Sequence, residues 1–442
     1  MKRFRSVTAL GAVSLLLLAG CSSAGSDGGS GDVELNYWMW DDTQVPLYQA
    51  CVDDFEAAHP GVTVKITQTA WAQYWQNLST QVTAGTGPDV FVNQISYFRQ
   101  YASTNQLLDL SQAESDVDFD AFKPGLADRW VYDGKRLGLP KDWDTVGFLY
   151  DSKAATKAGY SADDMNALTW NPDDGGTFGK FIRSTSVDSA GRTGDDPAFD
   201  SSDVAVYGFY PEWADGATGQ NGWGNLAAAN GFEFFTDPAD PASVDFSSPA
   251  LVETAGWIQK QIEAGYMPRF DETSSLGTQA VLESGNVASS FAGSWMASTY
   301  LGDDESIDFA FAPVPEGPEG RKAATNSLAD SVWTGTKHPE EATGLVAYLA
   351  SSDCQSKVGD FGKIFPATTA GTDAALAAWK KDGIDPTPFV SVVDAGDTYL
   401  IPAFEKSAEI SVAVQDAMQN IAQGADPEKE LKAANDAVKA LF

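Results

Sequence analysis

The chain runs to 442 residues and carries 62 Asp+Glu against 28 Lys+Arg, a formal charge of −34 at pH 7. A field of that sign disfavours nucleic acid and anionic small molecules as partners; a neutral ligand does not feel it, and a cationic one stays open. The two histidines, His59 and His338, both stand directly before proline at expected helix ends. A Ser-His-Asp triad, a Cys-His pair or a histidine-based zinc site therefore has no material to form from, and neither a metal nor a cofactor is expected.

At the N-terminus, Lys2, Arg3 and Arg5 precede an apolar run from Val7 to Leu18 that is too short to span a bilayer as a mature helix. The run ends in "LAGC", Leu18 to Cys21, which resembles the lipobox of bacterial lipoproteins. That resemblance implies removal of residues 1–20 and lipidation of Cys21. Residues 21–32 then form a Gly/Ser-rich tether, whose flexible part averages roughly 17–20 Å end to end. No later stretch offers about 18 apolar residues in a row. A soluble domain held at the outer face of the membrane by one anchor fits these features. Beyond Cys21 only Cys51 and Cys354 remain, read here as buried free thiols, with a bridge between them as the alternative.

The mature length predicts two or three domains. Val33–Trp40 reads as a strand, Val45–Ala58 as a helix stopped by "HPG", and Val62–Thr69 as a strand of period two. A helix from Ala72 to Ala84 and a short apolar strand in "GTGPDVFVN" follow, which is the alternation of a parallel α/β sheet. In "LPKDWDTVGFLYD", Leu139 to Asp151, the half from Val146 to Tyr150 reads as a buried strand, preceded by Lys141, Asp142, Trp143 and Asp144. Strand ends are where a rigid scaffold presents polar groups to a ligand. Asn171–Ser202 reads as a long surface excursion, its acids solvated rather than gathered on calcium, because the Asp-x-Asp-x-Asn-Gly spacing is missing. Val206–Tyr210 and Asp308–Pro315 read as strands. Ala250–Gly265, Glu340–Ala350, Ala374–Lys381, Ala403–Ala422 and Glu428–Leu441 read as helices. "GWGNLA", Gly222 to Ala227, has the spacing of a dinucleotide fingerprint but follows a loop rather than a strand, so it carries no such role.

Five motifs occur in order: "HPGVTVKI", "AGTGPDVF", "YASTNQLLDLS", "YDGKRLGLPKDWDTVGFLYD" and "SFAGSWM". With the lipobox they resemble the extracellular solute-binding proteins of ABC importers, in the carbohydrate branch that includes maltose-binding protein. The resemblance covers about Val33 to Phe442. It implies an α/β fold of the type II periplasmic-binding kind, two lobes each built on a sheet flanked by helices and joined by a multi-segment hinge. Carried onto this chain, the first lobe is 33–142 plus about 295–335, and the second about 143–294 plus 336–442. The implied function is capture of a neutral carbohydrate between the lobes and its delivery to membrane permease subunits. The ATPase of such an importer would be a separate chain, since no GxxxxGK[ST] loop is present. No enzymatic activity is implied, and a monomer is expected. A surface glycoside hydrolase and a same-fold binder of a non-sugar solute are the alternatives.

The chemistry of sugar recognition selects the candidate residues. Ring C–H faces stack on aromatic faces, and hydroxyls need acceptors and donors in fixed directions. Asp144 matches the acidic position in the family's crossing segment, with Lys141, Asp142 and Trp143 beside it. Ser294 and Trp295 match the family's tryptophan after a glycine. Trp40 and Asp41 end the first strand, Asn93 ends the third, and Tyr97 and Trp71 lie close by. Tyr210, Trp223 and Trp333 are further candidates. Trp75, one turn beyond Trp71, is assigned to the core.

Overall fold

The computed structural model describes residues 32–442 except 116, 214, 238–239, 241, 274–276 and 302–307. Cys21 and nearly all of the tether lie outside the described residues.

The first lobe grows from three parallel strands. Val33–Met39 pairs on one side with Val62–Gln68 and on the other with Val90–Gln94. Its alternation works as period two demands, with Leu35, Tyr37 and Met39 buried. The helix Val45–Ala58 carries Pro46 in its first turn and buries Leu47, Tyr48, Cys51, Val52 and Phe55 along one stripe. The helix Trp71–Ala84 stops at Gly85, whose left-handed backbone (φ 74°) closes its C-terminus.

Two long strands join the lobes. Leu139–Asp151 is a single strand of 13 residues, all but the last buried. At about 3.3 Å per residue it is roughly 43 Å long, enough to run through both lobes. Its first half pairs antiparallel with the second crossing strand, Ala323–Val332, and with Phe365–Pro366. Its second half pairs with Ser289–Gly293 and Phe309–Ala312, forming the sheet of the second lobe. Ala323–Val332 in turn pairs with Val90–Gln94, completing the first sheet. Between the crossing strands the register shifts: Asp142 faces Leu328 while Pro140 faces Ala329. Lys141 is therefore the extra residue of a β-bulge, and bulges re-aim side chains.

Several elements differ from the sequence expectation. The strand expected at Val206–Tyr210 is Val204–Val206, with Tyr207 and Tyr210 making single bridges to Val287 and Ser290. The excursion Asn171–Ser202 contains a helix, Gly176–Thr185, which buries Phe178, Phe181 and Ile182. Helices Ser352–Gly359 and Thr387–Ala395 were not anticipated. The stretch expected to return to the first lobe from about 295 does so only at the second crossing strand, because Phe309–Ala312 pairs with the far half of Leu139–Asp151. Conversely, Pro339–Leu349 and Ser352–Gly359 pack against Val45–Ala58, although residues 336–442 were expected in the second lobe.

Cys51 and Cys354 form a disulfide across that helix contact, correcting the free-thiol reading. They sit 303 residues apart in sequence, so nothing local could announce that their helices touch. Among the described residues no helix is long and apolar enough to cross a membrane.

Candidate functional site

A cavity of about 580 Å³ lies between the lobes, within the size range of small-molecule sites. The first lobe supplies an aromatic wall. Trp40 stands at the end of the first strand, Trp71 and Trp75 on the following helix, and Tyr97 just past the third strand. Trp75 stacks on Tyr97 with centroids 3.9 Å apart and planes 9° apart, and Trp40 meets Trp71 edge to face at 5.2 Å. Trp75 thus belongs to the core and to the cavity at once. Trp71 remains 40% exposed at the mouth, a large apolar face without a protein partner over much of its area.

The crossing strands make the floor. Asp142, Trp143 and Asp144 line the cavity with Asn326, which faces Asp144 across the strand pair. Trp143 stacks on Phe365 at 4.8 Å and donates its indole N–H to Thr372 Oγ1 at 3.0 Å. Its ring is thereby fixed in orientation. Asp144 accepts from Gln220 Nε2 at 2.8 Å. From the second lobe come Glu212, residues 215–218, Gln220, Asn221, Thr278, Tyr300 and residues 293–296. Trp295 is half-buried there and folds back over Gly293. Ser294 also lines the cavity, and its Oγ accepts from the backbone N–H of Thr145 at 3.4 Å.

The remaining sequence candidates lie outside the cavity. Asp41 accepts from the backbone and hydroxyl of Thr43 and from Gln44 Nε2, so it organises the turn before the first helix. Asn93 is fully buried and donates to Ser331 Oγ, joining the third strand to the second crossing strand. Lys141, on the bulge, is buried with its ammonium over the Tyr48 ring. Tyr210 is buried and its carbonyl accepts from Ser290 Oγ. Trp223 packs with Phe232 and Phe234. Trp333 donates to Gln106 Oε1 and fills the space over Gly87 and Gly335. Each completes packing that a loop–strand junction also requires, which is why residue type alone pointed to them. Missed altogether were Asn326, Gln220 and the acids Glu212 and Asp215. A signal existed for Asn326: "AATNSLADSV" is polar for a strand that is buried throughout, a mismatch between composition and burial.

Burial governs the electrostatics. It pushes Asp144 up to about 7, against the opposing pull of Gln220, Arg129 and Asn326. It raises Asp142 well above the carboxylate range, with Lys141 pulling the other way, and it raises Asp330 against the pull of Lys141 and Tyr37. Glu212 is raised by burial despite hydrogen bonds from Thr278 and Asn221, and Asp215 by burial and by the nearby Glu212 charge. Lys141 is lowered to about 8, again by burial.

These shifts predict an inverted pH profile. Carboxyls raised in the folded state hold more protons there than in the unfolded chain between about pH 4 and 7, so stability falls as pH rises through that window. Lys141 keeps its proton throughout it. Urea unfolding is expected to show a lower midpoint at pH 7.5 than at pH 5. Asp144→Asn should remove on the order of 2–4 kcal/mol of that fall. A profile that rises toward neutrality, or one unaltered by the substitution, would contradict the burial account.

Residues 50–387 match the family model described as bacterial extracellular solute-binding protein. The lactose-binding protein of Rhizobium radiobacter is 26% identical over 352 residues, covering 78% of this chain and 74% of that one. An ABC substrate-binding protein of Listeria monocytogenes, solved in complex with cycloalternan, superposes with a TM-score of 0.78 at 20% identity, over 93% of this chain and 99% of that one. The GacH receptor of Streptomyces glaucescens, solved unliganded and with acarbose, gives a TM-score of 0.73 at 18% identity, over 93% and 98%. The last two establish the two-lobe fold, and the family match spans most of the chain. With its two sheets, paired crossing strands and a cavity where they meet, the chain belongs to the bacterial extracellular solute-binding proteins.

Proposed function

We propose that this chain is the capture component of an ABC importer, closing its two lobes on an oligosaccharide and handing it to membrane permease subunits served by a separate ATPase chain. One observation carries the reading: the interlobe cavity is walled by indoles and floored by carboxyl and amide groups on the strands that join the lobes. Indoles take the C–H faces of sugar rings, and the floor groups take the hydroxyls. Relatives whose names specify lactose and arabinooligosaccharides support the substrate class. The chain binds without transforming its ligand, and it works as a monomer anchored through Cys21 at the outer face of the membrane. Its lobes divide where the crossing strands pass the cavity, near Asp144 and Asn326. Because the walls come from both lobes, ligand favours the closed state in proportion to its contacts with the two together.

Calorimetry against an oligosaccharide panel tests this. Asp144→Ala and Trp295→Ala should each weaken binding by at least tenfold, about 1.4 kcal/mol. Wild-type affinity in both variants would remove the assigned site. Cleavage products after long incubation would replace capture with hydrolysis.

A further inference from the structure

We infer that the saccharide this cleft accepts carries a protonated amine, received by carboxyl groups of the cavity with Asp142 as the acceptor left open for it. The inference rests on the oligosaccharide reading and narrows it. Four carboxyl residues, Asp142, Asp144, Glu212 and Asp215, line the cavity, and no lysine, arginine or histidine does so among the described residues. A site for hydroxyls alone needs donors and acceptors in balance, since each hydroxyl offers one hydrogen and takes others. This cavity carries four acids beside neutral amides such as Gln44, Gln94 and Asn326, and no fixed cation stands opposite them among the described residues.

The four acids are not equivalent. Asp144 is held by Gln220 Nε2, Glu212 by Thr278 Oγ1 at 2.7 Å and Asn221 Nδ2 at 3.3 Å, and Asp215 by the Asn221 backbone N–H. Asp142 is 3% exposed, and neither of its carboxyl oxygens has a hydrogen-bond partner. A buried acceptor left unmatched is costly, and a native structure rarely keeps one without a purpose. The adjacent cation does not meet the need. Lys141 sits on the bulge with its ammonium directed over the Tyr48 ring, and it too makes no hydrogen bond. A ligand ammonium brings three donors and a charge, which a hydroxyl or an N-acetyl amide does not, and that charge favours loss of the proton that burial keeps on the Asp142 carboxyl. The aromatic wall of Trp40, Trp71 and Trp75 takes the apolar faces of the sugar rings that carry the cation. The chain's net charge of −34 draws such a ligand in and repels none of its kind.

The test is titration of the mature chain, read by tryptophan fluorescence and calorimetry at pH 6, where sugar amines are protonated. The probes are α- and β-linked glucose-type oligosaccharides in matched free-amine, N-acetyl and hydroxyl forms. The free-amine member of the recognised linkage should bind at least tenfold more tightly than its two counterparts, and raised salt should shrink that preference. In Asp142→Asn the ratio of amine to hydroxyl affinity should fall at least tenfold; a merely structural loss would move both affinities together. If a hydroxyl or N-acetyl form binds as tightly as the amine, the inference is overturned and the oligosaccharide reading stands. If no form of any linkage binds, both are overturned. The salt response of the wild-type chain decides the matter even if the variant does not fold.

Discussion

Replacing Gly293 by alanine is expected to cost the protein most of its ligand affinity while leaving its fold in place. A Cβ at this position would come within 1.9 Å of the Trp295 ring and would touch two further ring atoms at 2.1 and 2.3 Å. The backbone itself offers no objection, since Gly293 has φ −77° and ψ 157°, an extended conformation that alanine adopts freely. The indole must therefore move, and being half-buried at the cavity it has somewhere to go. Losing one well-placed aromatic anchor typically costs about 2–3 kcal/mol of binding, or roughly 30- to 150-fold. Calorimetry should show that loss with an unchanged far-UV circular dichroism spectrum. Combining Gly293→Ala with Trp295→Ala should add little to either alone, since both remove the same ring. Full additivity, or wild-type binding by Gly293→Ala, would show that Trp295 does not stack on ligand.

The second large effect concerns the disulfide. Cys51 and Cys354 join the helix Val45–Ala58 to the helix Ser352–Gly359, the two sulfurs standing 303 residues apart in sequence. A cross-link closing so long a loop restricts the unfolded ensemble strongly, and its removal is expected to cost about 3–5 kcal/mol. Reductant should lower the thermal midpoint of the wild-type chain, and Cys51→Ala with Cys354→Ala should reproduce that lowering without reductant. Neither cysteine lines the ligand cavity, so affinity below the transition should persist. Identical melting with and without reductant would mean that the thiols stay apart.

What could be read without coordinates follows from which faces are buried. Val33–Met39 shows its alternation because it buries one face more deeply than the other, and Val45–Ala58 shows its stripe for the same reason. The crossing strands are buried on both faces, so neither has a period to detect. Only the apolar half of Leu139–Asp151 was visible as a strand, and Ala323–Val332 was not visible at all. The bulge at Lys141 had no signature either, being a property of the pairing between two distant segments.

The site divides in a similar way. Trp40, Trp71, Tyr97, Asp142, Trp143, Asp144, Ser294 and Trp295 could be marked in advance because strand ends and the crossing segment are where a cleft must open, and all of them line the cavity. Trp223 and Trp333 occupy junctions that look the same in sequence, yet they face inward to fill space beside Phe232 and Gly335. The sequence around Glu212, Asp215 and Gln220 has no periodic pattern to mark it as part of the cavity. Its acids became visible only when Asn221 and Thr278 were seen to converge on Glu212.

The helix Ser407–Ala422 bears on how far the lobes can part. Its first turn reaches the helix Ile95–Ser103, which carries Tyr97 of the cavity wall: Ser407 Oγ donates to the Ser96 carbonyl and the Ala408 N–H donates to Gln100 Oε1. Its body lies along Pro249–Glu263 in the other half of the molecule, and Gln419 reaches the Trp213 carbonyl. A rod clasped at both ends in this way acts as a strut: widening the mouth must slide or release its grip near Ser96. The travel of the jaws is thereby metered by a few polar contacts at one tip, and loosening the one made by Gln100, which stands outside the cavity lining, would tune the resting aperture.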